Sequence, residues 1–179
     1  MDKVSGRLVV AIVFSLWAVI GFSGYFNVAN STTTTSQYHV SDSTFQMSDW
    51  WNVNQSTNDS ITFDNRNNMP HSTMRGDKVI TLSLTQYTDI PTFESKEKNL
   101  KNSSAGYVIS NNENITIEGI KVKFINSTDS NNTKTFLDYY FQKNGKYYSI
   151  QIVGETFTVN ELLDNAIKNT IESIISSIN

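Results

Sequence analysis

The sequence predicts an α+β domain that follows one N-terminal transmembrane helix. Three features carry this prediction: an uncharged run near the start, strand-like alternation through the middle, and a long amphipathic segment at the end. The chain has 179 residues, no cysteine and two histidines. A body of roughly 140 residues can bury an ordinary core without disulfides. The absence of thiols excludes thiolate zinc sites, iron–sulfur clusters and cysteine nucleophiles.

The predicted anchor is residues 8–26, a run of 19 residues without a charge. As a helix it would be about 28 Å long, close to the hydrocarbon thickness of a bilayer. Lys3 and Arg7 precede the run, so the positive-inside rule places the N-terminus in the cytoplasm and the body outside. A cleaved signal peptide is the alternative, because it shares these features. The expected order is a cytoplasmic tail (1–7), a transmembrane helix (8–26), a Ser/Thr-rich linker (27–36) and an extracytoplasmic domain (37–179) at the cell membrane.

Short strands open the body, at residues 44–47, 50–53 and 60–64. Residues 78–86 alternate more clearly, which is typical of a half-buried strand whose apolar face carries Ile80, Leu82 and Leu84. Residues 91–101 begin with proline and carry charges at helical spacing, which predicts a short helix.

Two hairpins are predicted next. Residues 115–124 form one if Glu118-Gly119 is a two-residue turn, and a bulge within a single strand is the alternative. Residues 135–153 form the other around Asn144-Gly145, a dipeptide suited to the positive φ angles of a type I′ turn. Its register gives a core face of Leu137, Tyr139, Phe141, Tyr148, Ile150 and Ile152. The opposite face is aromatic enough to need partial cover.

The closing helix is predicted at residues 158–178. Thr158 and Glu161 match a capping box. An apolar stripe favours packing against the sheet over a coiled coil, and it contains Val159, Leu162, Leu163, Ala166, Ile167, Ile171, Ile174, Ile175 and Ile178.

The order of several segments carries a family resemblance. Phe45-Gln46-Met47-Ser48-Asp49-Trp50 is followed by ITLSLTQY, ITIEGIKVKF, YYFQKNGKYYSI and a terminal IESIISSI. Over residues 38–178 this order resembles the PsbP-like family. Within that family, the chain is most similar to membrane-anchored, exported members of archaeal type. The resemblance implies an α/β/α sandwich around a largely antiparallel sheet. It also implies binding or assembly roles more than catalysis.

No catalytic, cofactor-binding or metal-binding residue is predicted. His39 and His71 lack a neighbouring acid and nucleophile in a local motif. The net charge of −3 does not favour nucleic acid. We therefore expect a non-catalytic binding or assembly module of the cell envelope, whose partners are the bilayer, through residues 8–26, and an envelope or membrane protein. The alternatives are a secreted protein and a surface enzyme acting on envelope glycans, which needs two carboxylates about 5–10 Å apart.

Aromatic residues and sequons supply the candidate sites. Trp50 and Trp51 must point to opposite faces of a strand, so one is expected near the surface. The candidate partner contacts are Trp51, Tyr140 and Tyr147. Besides Asn30, the Asn-X-Ser/Thr sequons predict glycosylation, mostly in loops, at Asn54, Asn58, Asn102, Asn114, Asn126 and Asn131.

Overall fold

The structure is a computed structural model that describes residues 34–65, 79–89, 93, 95 and 106–179. The predicted transmembrane helix (8–26), the first part of the linker, His71 and Asn102 lie outside these residues. In the ranges that are described, no helix is long and apolar enough to span a bilayer.

The described residues form nine strands in two antiparallel sheets. A separate hairpin pairs β1 (Thr35–Val40) with β2 (Ser43–Ser48). The larger sheet has seven strands in the order β3-β4-β5-β9-β8-β7-β6. Its strands are β3 (Asn52–Ser56), β4 (Ser60–Asp64), β5 (Thr81–Tyr87), β6 (Tyr107–Ile117), β7 (Ile120–Asp129), β8 (Lys134–Lys143) and β9 (Lys146–Glu155). Because β1 begins at Thr35, the predicted linker extends two residues too far.

Both predicted hairpins are confirmed with their registers. Leu137 pairs with Ile152, and Tyr139 with Ile150, around a turn in which Asn144 and Gly145 have φ angles of 53° and 78°. The second hairpin turns at Glu118 and Gly119, with φ angles of 50° and 77°, so the bulge alternative is wrong there. Positive φ at both central residues gives the turn a twist that matches the flanking strands.

The terminal helix has three parts: α1 (Thr156–Leu162), a π-helical segment (Leu163–Ile167) and α2 (Lys168–Ser177). The predicted capping box is wrong, because the helix begins two residues earlier than expected. Glu155 occupies the N-cap position without a side-chain hydrogen bond, and the Thr158 hydroxyl is buried without a partner in the described part of the chain. The apolar stripe is confirmed by the burial of Val159, Ile167, Ile171, Ile174, Ile175 and Ile178.

The core lies between one face of the large sheet, the terminal helix and the β1–β2 hairpin. It contains the predicted residues of β5, β8 and β9 together with Phe45, Met47, Trp51, Ile61 and Phe63. Two hydrogen bonds fasten the layers: Trp51 Nε1 donates to Thr170 Oγ1 at 3.0 Å, and the hydroxyls of Ser43 and Tyr148 lie 2.7 Å apart.

The predicted α/β/α sandwich is wrong. About 60% of the described chain is strand, and the helix with its π-helical segment packs on one face of the sheet. The opposite face carries polar residues such as Thr62, Ser83 and Gln151, which are only partly buried. In the described residues, the helical cover of this face consists of Phe93, whose ring packs on Tyr140 and Tyr147. The polar positions outside this cover stay partly open, because burying them would require a hydrogen-bond partner for each. Phe93 and Ser95 are helical, and the rest of the predicted helix 91–101 lies outside the described residues.

Candidate functional site

Four rings cover part of the face opposite the core, and we call them the aromatic cluster: Tyr87, Phe93, Tyr140 and Tyr147. Phe93 is at the centre, with its ring centroid 5.6 Å from Tyr87, 5.6 Å from Tyr140 and 5.3 Å from Tyr147. The three tyrosines come from β5, β8 and β9, which are neighbours in the sheet. Tyr140 is buried and Tyr147 is half-buried. The cluster therefore consists of one buried ring, Tyr140, and three half-buried rings.

An open groove of about 630 Å³ lies beside the cluster, and we call it the end groove. It forms where the β1–β2 turn, the end of β5 and the β8–β9 turn come together. Antiparallel pairing of Tyr87 with Tyr147 brings the last two of these segments side by side. The groove is lined by Ser41, Asp42, Gln86, Tyr87, Thr88, Asp89, Gly145, Lys146 and Tyr147. Its volume lies in the usual range of ligand sites, roughly 300–1,000 Å³.

An ion pair defines the polar side of the groove. Lys146 Nζ lies 3.0 Å from Asp42 Oδ1, and Gln86 Nε2 donates to the same oxygen at 2.7 Å. The hydrogen bond from Gln86 and the ammonium group of Lys146 lower the pKa of Asp42. Lys146 also donates to Ser43 Oγ at 3.0 Å. The groove therefore presents a carboxylate and an ammonium group that are held by polar contacts, and Tyr147 is also among its lining residues.

A buried carboxyl group lies on the same face as the aromatic cluster. The side chain of Asp138 on β8 is 2% exposed, and its Oδ1 accepts a hydrogen bond of 2.8 Å from Gln151 Nε2. Within the described residues its Oδ2 has no partner. Burial raises the pKa of Asp138 to about 6, against the opposing effect of the Gln151 hydrogen bond. Nearby, the hydroxyls of Tyr87 and Ser149 lie 2.9 Å apart, and burial raises the pKa of Tyr87.

The structure places the three predicted contact residues in three different environments. Tyr147 lines the end groove, and Tyr140 lies beneath Phe93. Trp51 is 2% exposed, so its prediction as a surface contact is wrong. Its indole N–H is satisfied by Thr170, and its neighbour Trp50 is the half-buried member of the pair.

Sequence reasoning missed the other parts of the site. Phe93 lies in the predicted helix 91–101, and its apolar side chain in a charged segment was the available signal. Asp42, Gln86 and Lys146 carried none, because they come together only through the fold. His39 is exposed on β1, away from any described acidic or nucleophilic cluster.

Of the five sequons in the described residues, three fall on strands, so the prediction of loops is wrong for these three. Asn54, Asn58, Asn114 and Asn131 are exposed, and only Asn58 and Asn131 lie between strands. Asn126 is half-buried within β7, with its side-chain oxygen buried and unpartnered in the described residues.

Comparisons with known proteins give weak likenesses. No family model matches the chain, and no curated protein matches it. One similar solved structure is a Pseudomonas aeruginosa protein of unknown function described as a putative regulator, with 12% identity and a TM-score of 0.47 over 78% of this chain and 95% of the other. A second is cyanobacterial PsbP from Synechocystis, with 10% identity and a TM-score of 0.47 over 84% of this chain and 94% of the other. A third is LpqN of Mycobacterium tuberculosis, described as involved in cell envelope biogenesis, with 14% identity and a TM-score of 0.44 over 84% of this chain and 92% of the other.

A PsbP protein is thus among the similar structures. The comparisons give no support for an archaeal type or for membrane anchoring. At these identities and TM-scores they assign no function, so the function has to be argued from the site itself.

Proposed function

We propose that the chain is a non-catalytic binding module of the cell envelope, which recognises a partner protein at the end groove. The observation that carries this proposal is that the Asp42–Lys146 ion pair and the half-buried Tyr147 line the same groove. Tyrosine is enriched at protein interfaces because it supplies a large apolar area with little loss of conformational freedom. The ion pair gives the same groove two oppositely charged groups that can fix the orientation of a partner.

The positions of the carboxylates favour binding over glycan hydrolysis. Asp64 and Asp138 are both buried, but they lie on β4 and β8, which are three strand spacings apart. At about 4.8 Å per spacing the separation is about 14 Å, whereas a glycosidase pair lies about 5–10 Å apart. In the groove, Lys146 and Gln86 hold Asp42 in its charged form, which is the opposite of what a general acid requires.

We further propose that the body lies outside the cell membrane, attached through residues 8–26. The support comes from the sequence, where Lys3 and Arg7 precede an uncharged run of 19 residues. The exposed sequons at Asn54, Asn58 and Asn131 agree with a location where glycans can be added.

Crosslinking in intact cells tests the proposed function. The full chain is expressed in its native host as the wild type, as Tyr147→Ala and as Phe157→Ala, and the captured proteins are identified by mass spectrometry. Phe157 is the matched control, because it is aromatic and 60% exposed and lies where α1 begins, away from the groove. We expect the wild type and Phe157→Ala to capture the same partner in similar amounts. Tyr147→Ala should capture at least tenfold less of it. Equal capture by all three would refute recognition at the groove.

A further inference from the structure

The outermost strand of the large sheet, β6, is unusually long and open. It contains 11 residues and forms one edge of the sheet, where in the described part of the chain it pairs only with β7. Eight consecutive residues, 107–114, are exposed. The other edge strand, β3, has five residues. An edge strand presents a row of backbone N–H and C=O groups that can pair with another strand.

The side chains of β6 do little to prevent such pairing. Proteins commonly protect an edge with lysine, proline or a short strand. β6 contains neither lysine nor proline, and Glu113 is its only charged residue. Tyr107, Val108 and Ile109 are 44%, 57% and 38% exposed, which places three large apolar side chains together at one end of the strand.

The pattern of apolar and polar residues in β6 is nearly symmetric about its central residue, so two copies of the strand can pair antiparallel with like residues facing each other. It reads YVISNNENITI, with three residues of mainly apolar character at each end and five polar residues between them. Antiparallel pairing of two such strands about Asn112 places Tyr107 opposite Ile117, Val108 opposite Thr116 and Ile109 opposite Ile115. In the middle, Asn111 faces Glu113 of the other copy. Within one strand Asn111 Nδ2 donates to Glu113 Oε1 at 2.8 Å, and the second N–H of this amide can donate to the facing carboxylate. The single negative charge of each copy is therefore never directly opposite its equivalent.

We propose that β6 is a dimerisation edge, and that it pairs antiparallel with β6 of a second copy about a two-fold axis at Asn112. A two-fold interface requires one surface that is complementary to itself, and this strand has that property. The result is a continuous sheet of 14 strands, seven from each copy. The bulge between Ile109 and Asn111 lies in the pairing of β6 with β7, where the Ser110 hydroxyl donates to the Asn126 carbonyl at 3.1 Å. The bulge bends β6 at Ser110, so the pairing with the second copy is centred on the regular residues around Asn112.

Single cysteines test the register directly, because the natural chain contains none. In the proposed dimer the two copies of residue 112 are opposite each other, with Cα atoms about 4.5–5.5 Å apart, which suits a disulfide. The two copies of residue 116 are eight positions apart along the strand, a distance of about 27 Å. Thr116 completes the Asn114 sequon, so the full chain carrying Asn112→Cys or Thr116→Cys is produced in a host without N-glycosylation. It is then oxidised with diamide and analysed by non-reducing electrophoresis.

We expect a covalent dimer from Asn112→Cys and at least tenfold less from Thr116→Cys, whose position is also exposed. Equal crosslinking at both positions would indicate a parallel or unspecific contact and would overturn the proposal. No crosslinking at position 112 would overturn it as well, and would leave the edge to a strand of a different protein.

Sedimentation of the full chain gives a second, independent readout. Ile109→Lys should weaken dimerisation at least tenfold, whereas Val53→Lys on the opposite edge strand should leave it unchanged, since Val53 is exposed to a similar degree, 48%. Both variants keep residues 8–26, so a difference between them cannot arise from that apolar run. Equal dimerisation of the two variants contradicts pairing through β6.

Discussion

Gln151 on β9 donates a hydrogen bond of 2.8 Å to Asp138 on β8, and it satisfies only one of the two carboxylate oxygens. The two residues face each other in the register of the hairpin, on the face opposite the hydrophobic core. A buried carboxylate with one hydrogen bond is costly to ionise, because desolvation outweighs a single polar contact. The folded protein therefore binds the Asp138 proton more tightly than the unfolded chain does.

The first prediction follows from this difference. The pKa of Asp138 is raised from 3.8 to about 6, so the folded state holds more protons than the unfolded state between about pH 4 and pH 6. Stability should fall as the pH rises through this window and then level off. Two pKa units correspond to about 3 kcal/mol as an upper limit. Relative to the wild type, Asp138→Asn should gain up to that amount between pH 4 and pH 7, measured by denaturant unfolding.

The comparison with the wild type removes the contributions of other titrating groups, such as Asp42 and Asp129, which both proteins share. Glu118→Gln, which removes an exposed carboxylate from the turn between β6 and β7, is the matched control and should give a curve parallel to the wild type, because surface substitutions change stability little. Parallel curves for Asp138→Asn as well would mean that Asp138 is not desolvated as described.

The second prediction concerns Trp51. Replacing it by Phe removes the hydrogen bond to Thr170 and part of a fully packed ring, so the free energy of unfolding should fall by about 1–3 kcal/mol. Trp50→Phe should have less than half of this effect, because the Trp50 ring is only half-buried. Urea titration followed by circular dichroism measures both. A larger loss from Trp50→Phe than from Trp51→Phe would contradict the assignment of Trp51 to the core.

The third prediction tests the hairpin core. Ile150 is fully buried between the sheet and the helix, so Ile150→Ala should reduce the free energy of unfolding by about 2–5 kcal/mol. Val53→Ala, at an exposed position of β3, should change it by no more than about 0.5 kcal/mol. Thermal unfolding of both variants in one buffer provides the measurement, and a similar loss from the two would argue against this core.

The fourth prediction separates two sequons. Asn131 is exposed in the turn between β7 and β8, whereas the Asn126 side chain is half-buried within β7. In the native host we expect a glycan on Asn131 and none on Asn126, as determined by mass spectrometry of glycopeptides. An unmodified Asn131 together with an occupied Asn126 would contradict the proposed exposure of these sites.

Local sequence signals were sufficient for some elements of the fold. Asn144-Gly145 between two alternating runs determined both the turn and the register of the β8–β9 hairpin, because a two-residue turn leaves only one pairing. The apolar stripe of the terminal helix was recognisable for a similar reason, although the π-helical segment at Leu163–Ile167 shifts its phase by one residue.

Other elements carried no local signal. The polar middle of β6 lacks alternation, and β1 begins in a Thr/Ser run that is typical of a linker. The end groove depends on contacts between distant residues: Gln86 is 44 positions from Asp42, and Lys146 is 104 positions from it. Asp138 could be identified as an acid within a strand, but its burial depends on neighbouring strands and on the aromatic cluster.

Photo-crosslinking from the groove tests the central claim most directly. The full chain carries p-benzoylphenylalanine in place of Tyr147, or in place of Phe157 as the control, and is irradiated in intact cells of its native host. If the end groove recognises a partner protein, position 147 should give one discrete adduct that is absent from position 157. Identical adducts from the two positions, or no adduct from position 147, would contradict the proposal that this chain acts by binding at the groove.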